Sequence, residues 1–291
     1  MASMTPYGCI VVGTDGSALS DPTVARASFL AAAEEADRLE LSLDLIEATF
    51  SDPSLDGWEG YGLAVQAYQK RTPYVIDFLA DLARRVGRRM PVRLVKGAYW
   101  DAEIKRAQID GHPGYPVFTR KPNTDVSYLA NARRLLDAGN AIYPMFATHN
   151  AQTIATVHRM ARAMRKRRDF EFQKLHGMGD DLYAEVVPKH RLDIPCRVYA
   201  PVGSHEDLLP YLVRRLLENG SNTSFVNRIV NENEPIAAIV GDPVQTVDAY
   251  ASAAHPRIPQ PADIYQPERR NSAGLHLVDG RVLASAAERM E

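Results

Sequence analysis

The sequence has few cysteines, no long apolar run and almost no net charge. Its two cysteines, Cys9 and Cys196, are too few for a disulfide framework and have no zinc-ligand spacing, so a reducing compartment fits best. No stretch approaches the roughly 18 apolar residues of a membrane span, and no signal-peptide pattern opens the chain. A net charge of −2 gives no bulk attraction to nucleic acid or anionic membrane. We predict a soluble cytoplasmic protein, with peripheral membrane contact left open.

Familiar catalytic motifs are missing as well. The sequence has no arguable Ser–His–Asp arrangement, the glycines of HGMGD (176–180) do not fit a dinucleotide fingerprint, and candidate metal ligands are scattered. The polar residues that remain are mainly basic and aromatic. Arg214 and Arg215 are adjacent on a predicted helix and suit the capture of a carboxylate or phosphate. These residues favour a cofactor-dependent reaction on an anionic substrate.

Short apolar runs alternate with amphipathic stretches along most of the chain. This alternation predicts a parallel sheet with crossover helices. Residues 255–270 are instead rich in proline and polar residues, which predicts an extended tail or linker. The candidate strands are 9–13, 61–67, 91–97, 141–148, 170–176, 196–201 and 223–226, and the candidate helices are 71–87, 124–136, 151–165 and 205–218.

Polar residues follow several different candidate strands. An open doubly wound sheet would concentrate its chemistry at one switch point, whereas a closed (βα)8 barrel collects side chains from many strand ends. The spread of the polar residues therefore favours the barrel. These residues are Gln66, Lys96, Tyr99, His149, Gln173, His176 and Tyr199.

Several long motifs resemble, in the same order, the proline dehydrogenase barrel of the bacterial proline utilisation A proteins. The segment PERRNSAGL (267–275) resembles the connector toward that family's aldehyde dehydrogenase domain. The resemblance implies an α/β fold, a distorted (βα)8 TIM-type barrel over residues 34–254, with a Pro-rich extended tail over residues 255–291. The motifs are LAVQAYQKR (63–71), VRLVKGAYWDAEIKRAQ (92–108), YPVFTRK (115–121), FATHNA (146–151), FEFQKLHGMG (170–179), RVYAPVG (197–203) and YLVRRLLENGSNTSFVNRI (211–229).

The resemblance implies a function in proline catabolism. The family oxidises L-proline to Δ1-pyrroline-5-carboxylate by hydride transfer to N5 of a non-covalent FAD. A quinone or another electron acceptor then reoxidises the flavin, so contact at the inner membrane is one expectation. Nucleic acid is not an expected partner, and the oligomeric state is left open.

The resemblance also assigns residues to the cofactor. Gln66 and Arg93 would lie near the isoalloxazine ring. The ribityl and phosphate side would be lined by Lys96, Gly97, Ala98 and Trp100, and the adenosine and pyrophosphate region by Thr119, Arg120, Lys121 and Thr124. Further contacts would come from Thr148, His149, Asn150, Gln173, Lys174, Glu218, Ser224 and Phe225.

The substrate residues implied by the resemblance are aromatic and basic. Two arginines would hold the proline carboxylate, and tyrosines would pack around the proline ring. The set is Tyr99, Leu175, Tyr199, Tyr211, Arg214 and Arg215.

The resemblance fails before Glu34. The family's first strand supplies a lysine to the substrate carboxylate, but residues 1–69 contain no lysine, and Ala32 stands where the family has an aspartate. The segment CIVVGTDGSALSDPTVARA instead resembles the start of universal stress proteins. We therefore expect residues 1–33 to form a βα unit that substitutes for the first barrel elements, which leaves the first strands atypical or incomplete.

Two alternative functions stay open. One is a flavin-binding but catalytically impaired barrel remnant, natural or engineered, because a lost charge-assisted bond would weaken proline binding about 10- to 100-fold. The other is a nucleotide-binding stress module in which Asp15 contacts adenine, although no glycine-rich phosphate loop follows it. His176 and Cys196 are expected to serve packing.

Overall fold

A computed structural model describes residues 39–164, 169–200, 239–277 and 279–290, together with positions 36, 209, 213 and 235. Five parallel strands form one sheet, and within the described residues their spatial order is their order along the chain. Successive βα units of a barrel produce this sequential arrangement. The strands are β1 (Leu63–Gln66), β2 (Met90–Val95), β3 (Ile142–Ala147), β4 (Glu171–Leu175) and β5 (Cys196–Tyr199).

Helices occupy the segments between the strands. Helix α2 (Thr72–Val86) shows the local signals clearly, since a proline lies in its first turn and Gly87, at φ 73°, ends it in the left-handed conformation. Its buried stripe includes Val75, Leu79 and Leu82, at helical spacing. The helices are α1 (Leu39–Phe50), α2 (Thr72–Val86), α3 (Trp100–Ile109), α4 (Lys121–Asp137), α5 (Ala151–Ala163), α6 (Asp180–Ala184), α7 (Pro243–Asp248) and α8 (Gly280–Glu288). Short 3-10 turns cover Pro53–Leu55, Gly139–Ala141 and Pro261–Asp263.

The strand register separates a polar face of the sheet from an apolar one. Arg93 pairs with Met145, Met145 pairs with Glu171, and Gln173 pairs with Arg197. Because paired residues of parallel strands point to the same side, these side chains share one face. We call this the polar face; it comprises Gln66, Arg93, Tyr143, Met145, Glu171, Gln173, Arg197 and Tyr199.

The opposite face of the sheet is apolar and packs into the main core. Val92, Leu94 and Phe172 are fully buried there with helix residues such as Leu79 and Leu135. Three phenylalanines add edge-to-face packing, with ring centroids 5.6 Å apart for Phe146 and Phe170 and 5.5 Å apart for Phe170 and Phe172. This core fixes the strands whose other face carries the polar side chains.

The five strand predictions between residues 61 and 201 are confirmed, as are the helices predicted at 71–87, 124–136 and 151–165. The sequence analysis did not predict α1, α3, α6, α7 or α8. Helix α3 was missed because it buries little apolar surface, mainly Ile104 and Ala107. The strands predicted at 9–13 and 223–226 lie outside the described residues, and of the helix predicted at 205–218 only positions 209 and 213 are described, both as helical.

The segment after residue 250 lies against helices α3 and α4. The side-chain amide of Asn271 donates to the carbonyls of Gln108 (2.8 Å) and Pro261 (3.1 Å), and the backbone N–H of Gly274 donates to Gly111 (3.1 Å). A Cβ added at Gly111 or Gly274 would overlap the facing backbone. The tail is therefore docked in this region as far as Gly274, and helix α8 lies further along it.

Candidate functional site

A chain of hydrogen bonds crosses the polar face from β2 to β5. The Nε of Arg93 donates to Oε1 of Gln173 (2.8 Å), and Nε2 of Gln173 donates to Oε1 of Glu171 (2.8 Å). Arg197 donates two hydrogen bonds to the same carboxylate, of 2.7 and 2.9 Å. Glu171 and Gln173 are both buried, so these partners satisfy polar groups that have little access to water. The chain of bonds is therefore a fixed feature of this face.

Arg93 also contacts an aromatic residue of β5. Its guanidinium carbon lies 4.5 Å from the ring centroid of Tyr199, a cation–π distance. Arg93 and Gln173 were predicted as cofactor residues and Tyr199 as a substrate residue. The structure brings these three side chains together.

Gln66 lies at the end of β1 and reaches the turn after β2. Its side-chain oxygen accepts the backbone N–H of Ala98 (3.3 Å). Gly97 has φ 138°, and a Cβ there would overlap the ring of Tyr68, so glycine is needed at this close approach. Three predicted cofactor positions, Gln66, Gly97 and Ala98, thus form one corner of the site.

Two lysines share one carboxylate beside that corner. Lys96 and Lys121 both pair with Asp125, Lys121 at 3.3 Å. Burial lowers the pKa of Lys96, and Asp125 opposes this effect. Burial raises the pKa of Asp125, but the two lysines outweigh it and the pKa is lowered. The cluster carries one positive charge more than it carries negative charge, which suits a phosphate-containing ligand.

His149 follows β3 and serves as a hydrogen-bond acceptor. Its Nε2 accepts the backbone N–H of Leu175 (3.2 Å), so the ring is neutral with its proton on Nδ1. Burial, followed by the charges of Lys174 and Arg93, lowers the pKa of His149. A predicted cofactor residue thereby positions Leu175, a predicted substrate residue.

The residues flanking His149 have local structural partners. The Oγ1 of Thr148 accepts the backbone N–H of Asn150 (3.1 Å), and the side chain of Asn150 accepts the N–H of Thr153 (3.0 Å). Asn150 is thus the N-cap of α5. Tyr183 donates to the carbonyl of Thr148 (2.8 Å), and burial is the main cause that raises the pKa of that phenol.

The predicted adenosine side is contacted by the chain itself. Thr119 accepts the backbone N–H of His255 (3.0 Å), and Arg120 donates to the carbonyl of Ala254 (2.9 Å). The Arg120 guanidinium also lies 4.0 Å from the ring centroid of Tyr250. Side chains predicted to bind the cofactor here hold residues 250–255.

The remaining predicted residues are placed as follows. Trp100 donates to the carbonyl of Phe118 (2.8 Å), Thr124 is buried in α4, and Tyr99 is the residue before α3. Lys174 shares the register of Val198 on the apolar face and pairs with Asp180, so it does not join the polar face. The predicted residues Tyr211, Arg214, Arg215, Glu218, Ser224 and Phe225 lie outside the described residues.

The sequence analysis missed four residues of the site: Tyr143, Glu171 and Arg197 on the polar face, and Asp125 beside it. Alternation along FEFQKL puts Glu171 on the same side as Gln173, so a period-two signal was available for that residue. The hydroxyl of Tyr143 lies 3.4 Å from Oε2 of Glu171, and burial, then that carboxylate, raises the pKa of Tyr143 to about 12.

The described part of the chain contains neither a candidate metal-ion site nor a membrane-spanning helix. No group of three or more His, Cys, Asp and Glu side chains there could hold a metal ion. No helix among the described residues is long and apolar enough to cross a membrane.

Comparison with known proteins identifies the class to which this fold and site belong. The family model for proline dehydrogenase matches residues 23–228. Because this match covers more than half of the chain, the chain belongs to the proline dehydrogenase family.

Individual relatives agree with this assignment. Bifunctional protein PutA of Klebsiella aerogenes is 57% identical over 262 residues, which cover 87% of this chain and 20% of that protein. The PutA of Rhizobium meliloti is 56% identical over 258 residues, covering 88% and 21%. The chain thus spans about a fifth of the length of these curated relatives.

Solved structures show the same fold. A bifunctional proline utilization A protein superposes with a TM-score of 0.83 at 54% identity, covering 90% of this chain and 27% of that chain. Proline utilization A of Bdellovibrio bacteriovorus inactivated by N-propargylglycine superposes with a TM-score of 0.76 at 30% identity, covering 88% and 26%. The fold class is therefore the α/β barrel predicted from the sequence; the atypical first strands lie outside the described residues.

Proposed function

We propose that the chain is an FAD-dependent proline dehydrogenase. It oxidises L-proline to Δ1-pyrroline-5-carboxylate within a barrel that covers residues 34–254, preceded by the atypical segment 1–33 and followed by the tail 255–291. The observation that carries the proposal is the placement of Arg93, which is hydrogen-bonded to Gln173 and stacked on Tyr199. One cation thereby joins a proposed cofactor residue to a proposed substrate residue.

The donor set fits an oxidised or reduced flavin. Arg93 supplies a positive charge on a face with restricted access to water, where it would stabilise negative charge on a reduced ring. Gln66 and the neutral His149 offer polar groups without adding charge. A flavin bound among these residues supplies the two-electron acceptor that the oxidation of proline requires.

The lysine cluster fits the anionic part of the same cofactor. Lys96 and Lys121 both pair with Asp125, which keeps the two ammonium groups close together. We assign the pyrophosphate to this side, with Gly97, Ala98, Trp100 and Thr124 nearby. Thr119 and Arg120 would support it indirectly, by fixing residues 250–255.

Proline itself would be held by aromatic, aliphatic and basic groups. Tyr99, Leu175 and Tyr199 would pack around the ring, and Tyr211 with the adjacent Arg214 and Arg215 would complete the pocket, the arginines binding the carboxylate. The substrate loses a hydride from C5 and a proton from nitrogen, and a C=N bond forms between those atoms. A quinone or another electron acceptor would take the electrons from the reduced cofactor.

The decisive experiment is anaerobic titration of the purified protein with L-proline while the visible flavin spectrum is recorded. We expect the flavin band to bleach with L-proline and to persist with D-proline, since the proposed arginine pair and tyrosines would define one ring orientation. A band that no proline bleaches would favour the impaired flavin-binding remnant. A protein that holds no flavin even after FAD is added would overturn the proposal.

A further inference from the structure

One buried carboxylate on the polar face has no role in the chemistry proposed above. The Glu171 side chain is only 5% exposed, yet it lies on β4 two residues before Gln173. Its Oε1 accepts from Gln173 and Arg197, and its Oε2 accepts from Arg197 and lies near the hydroxyl of Tyr143. A carboxylate with this many donors is held in a single orientation.

Glu171 determines which way the amide of Gln173 points. In the observed orientation, Nε2 of Gln173 faces the Glu171 carboxylate and Oε1 faces the Nε–H of Arg93. The flipped amide would set oxygen against carboxylate at one end and N–H against N–H at the other. Both contacts would be repulsive, so the charge on Glu171 excludes the flip.

The orientation of the amide in turn determines the position of Arg93. Gln173 provides the acceptor for the Nε–H of Arg93, and this bond keeps the guanidinium over Tyr199. The other amide N–H of Gln173 faces the sulfur of Met145 (3.1 Å), a weak acceptor that exerts little pull of its own. The anchor of the amide is therefore the carboxylate.

We infer that Glu171 is a positioning residue for Arg93, acting through Gln173. Arg197 aligns the Glu171 carboxylate through two hydrogen bonds, so the chain of action runs from β5 through β4 to β2. The inference rests on the proposed function only for its consequence in proline oxidation. The positioning itself concerns side chains of this chain and is measurable without substrate.

The first test observes Arg93 directly. The Nε–H resonance of Arg93 is recorded by 15N NMR in the purified protein and assigned by its loss in Arg93→Lys. We expect Glu171→Gln to shift or broaden this resonance, because the amide of Gln173 is then free to flip. Glu103→Gln removes an equally buried carboxylate on α3, which accepts from the backbone N–H of Ala36, and should leave the resonance in place.

Further variants keep the test decisive. Gln173→Met removes the acceptor but keeps the ion pair of Glu171 with Arg197, and it should move the Arg93 resonance as Glu171→Gln does. If Glu171→Gln does not fold because the half-buried Arg197 is left without its partner, E171Q/R197Q removes both charges together. An Arg93 resonance unchanged in these variants would overturn the inference, whether or not the protein oxidises proline.

The second test measures the consequence for the reaction. Glu171→Gln should lower kcat for L-proline about 10- to 100-fold, with KM little changed, because Arg93 loses the charge-assisted bond that orients it. We expect the midpoint potential of the bound flavin to become more negative as well, since Arg93 no longer stabilises the reduced form. An E171Q/Q173M double variant should be no worse than Q173M alone, because both changes act through one path. Additive losses would contradict a shared path.

Discussion

At position 149 the chain uses a neutral imidazole as an acceptor for backbone. The ring is surrounded by the charges of Lys174 and Arg93, and its Nε2 holds the N–H of Leu175. Protonation of Nε2 would remove that acceptor and place a third cation beside two others. One side chain therefore makes the geometry of the site sensitive to acid.

The pH dependence follows from the lowered pKa of His149. The unfolded chain takes up a proton near the ordinary value of 6.5, whereas the folded chain does so only at lower pH. The stabilisation is therefore present above pH 6.5 and lost as pH falls through the folded pKa, at no more than about 1.4 kcal/mol per pH unit. His149→Gln keeps an acceptor that does not titrate, so its free energy of unfolding in urea should decline less between pH 7 and pH 5. Parallel pH profiles for the two proteins would contradict this origin.

The residue scale also sets the limit of what the sequence could predict about the site. Glu171 lies on the side of Gln173 by simple alternation, so its face was predictable. Its partner Arg197 was not, because Arg197 lies on β5 and only the strand register brings it to Glu171. A sequence motif can indicate which residues belong to a site, but the register of the strands determines which of those residues are in contact.

At the scale of elements, the tail and helices α3 and α4 form one packed unit. Tyr115 donates to the carbonyl of Pro259 (2.7 Å), and Asn123 donates to that of Ala253 (3.0 Å). Pairs so far apart in the chain leave no periodic signal in either segment. The proline-rich composition therefore predicted an extended tail but not the surface on which it lies.

We expect Asn271→Asp to release this segment. A carboxylate cannot donate to the carbonyls of Gln108 and Pro261, and it would repel both. Trypsin should then cleave after the exposed Arg269 and Arg270 faster than in the parent protein. Ser272→Ala, one residue further along and exposed, is the matched control and should cleave at the parent rate. Equal rates for all three proteins would show that Asn271 does not hold the tail.

The strands and the longest helices could be predicted because their patterns are local. β2 alternates buried and half-buried residues along MPVRLV, and α2 carries an apolar stripe between a proline and a glycine. Helix α3 was not predicted because WDAEIKRAQI presents only a narrow apolar stripe. The periodicity of apolar residues therefore identifies a helix or strand only where one whole side of that element is buried.

At the scale of the whole molecule, the main core of the described residues links the sheet to most of the helices that pack on it. Phe172 is fully buried on the apolar face, and its ring packs against those of Phe146 and Phe170. The polar face depends on this core, because β4 carries Phe172 on one side and Glu171 with Gln173 on the other.

Phe172→Ala should lower the free energy of unfolding by about 3–5 kcal/mol, since it leaves a cavity among rings that cannot collapse fully. Urea denaturation followed by circular dichroism and by fluorescence measures the loss and its cooperativity. Tyr74→Ala removes an aromatic ring that is 75% exposed, and it should change the stability by no more than about 0.5 kcal/mol. Similar losses at the two positions would mean that the aromatic cluster contributes little.

The sequential order of the five strands has a consequence for folding during synthesis on the ribosome. The neighbour to which each strand bonds is the one that the ribosome has released just before it. From β2 to β5, each strand can therefore pair with a strand that has already been synthesised, and its edge does not stay unpaired until a distant segment is translated. The sheet can therefore form strand by strand during synthesis. The residues of the hydrogen-bond chain from Arg93 to Glu171 are all present once β4 has been synthesised.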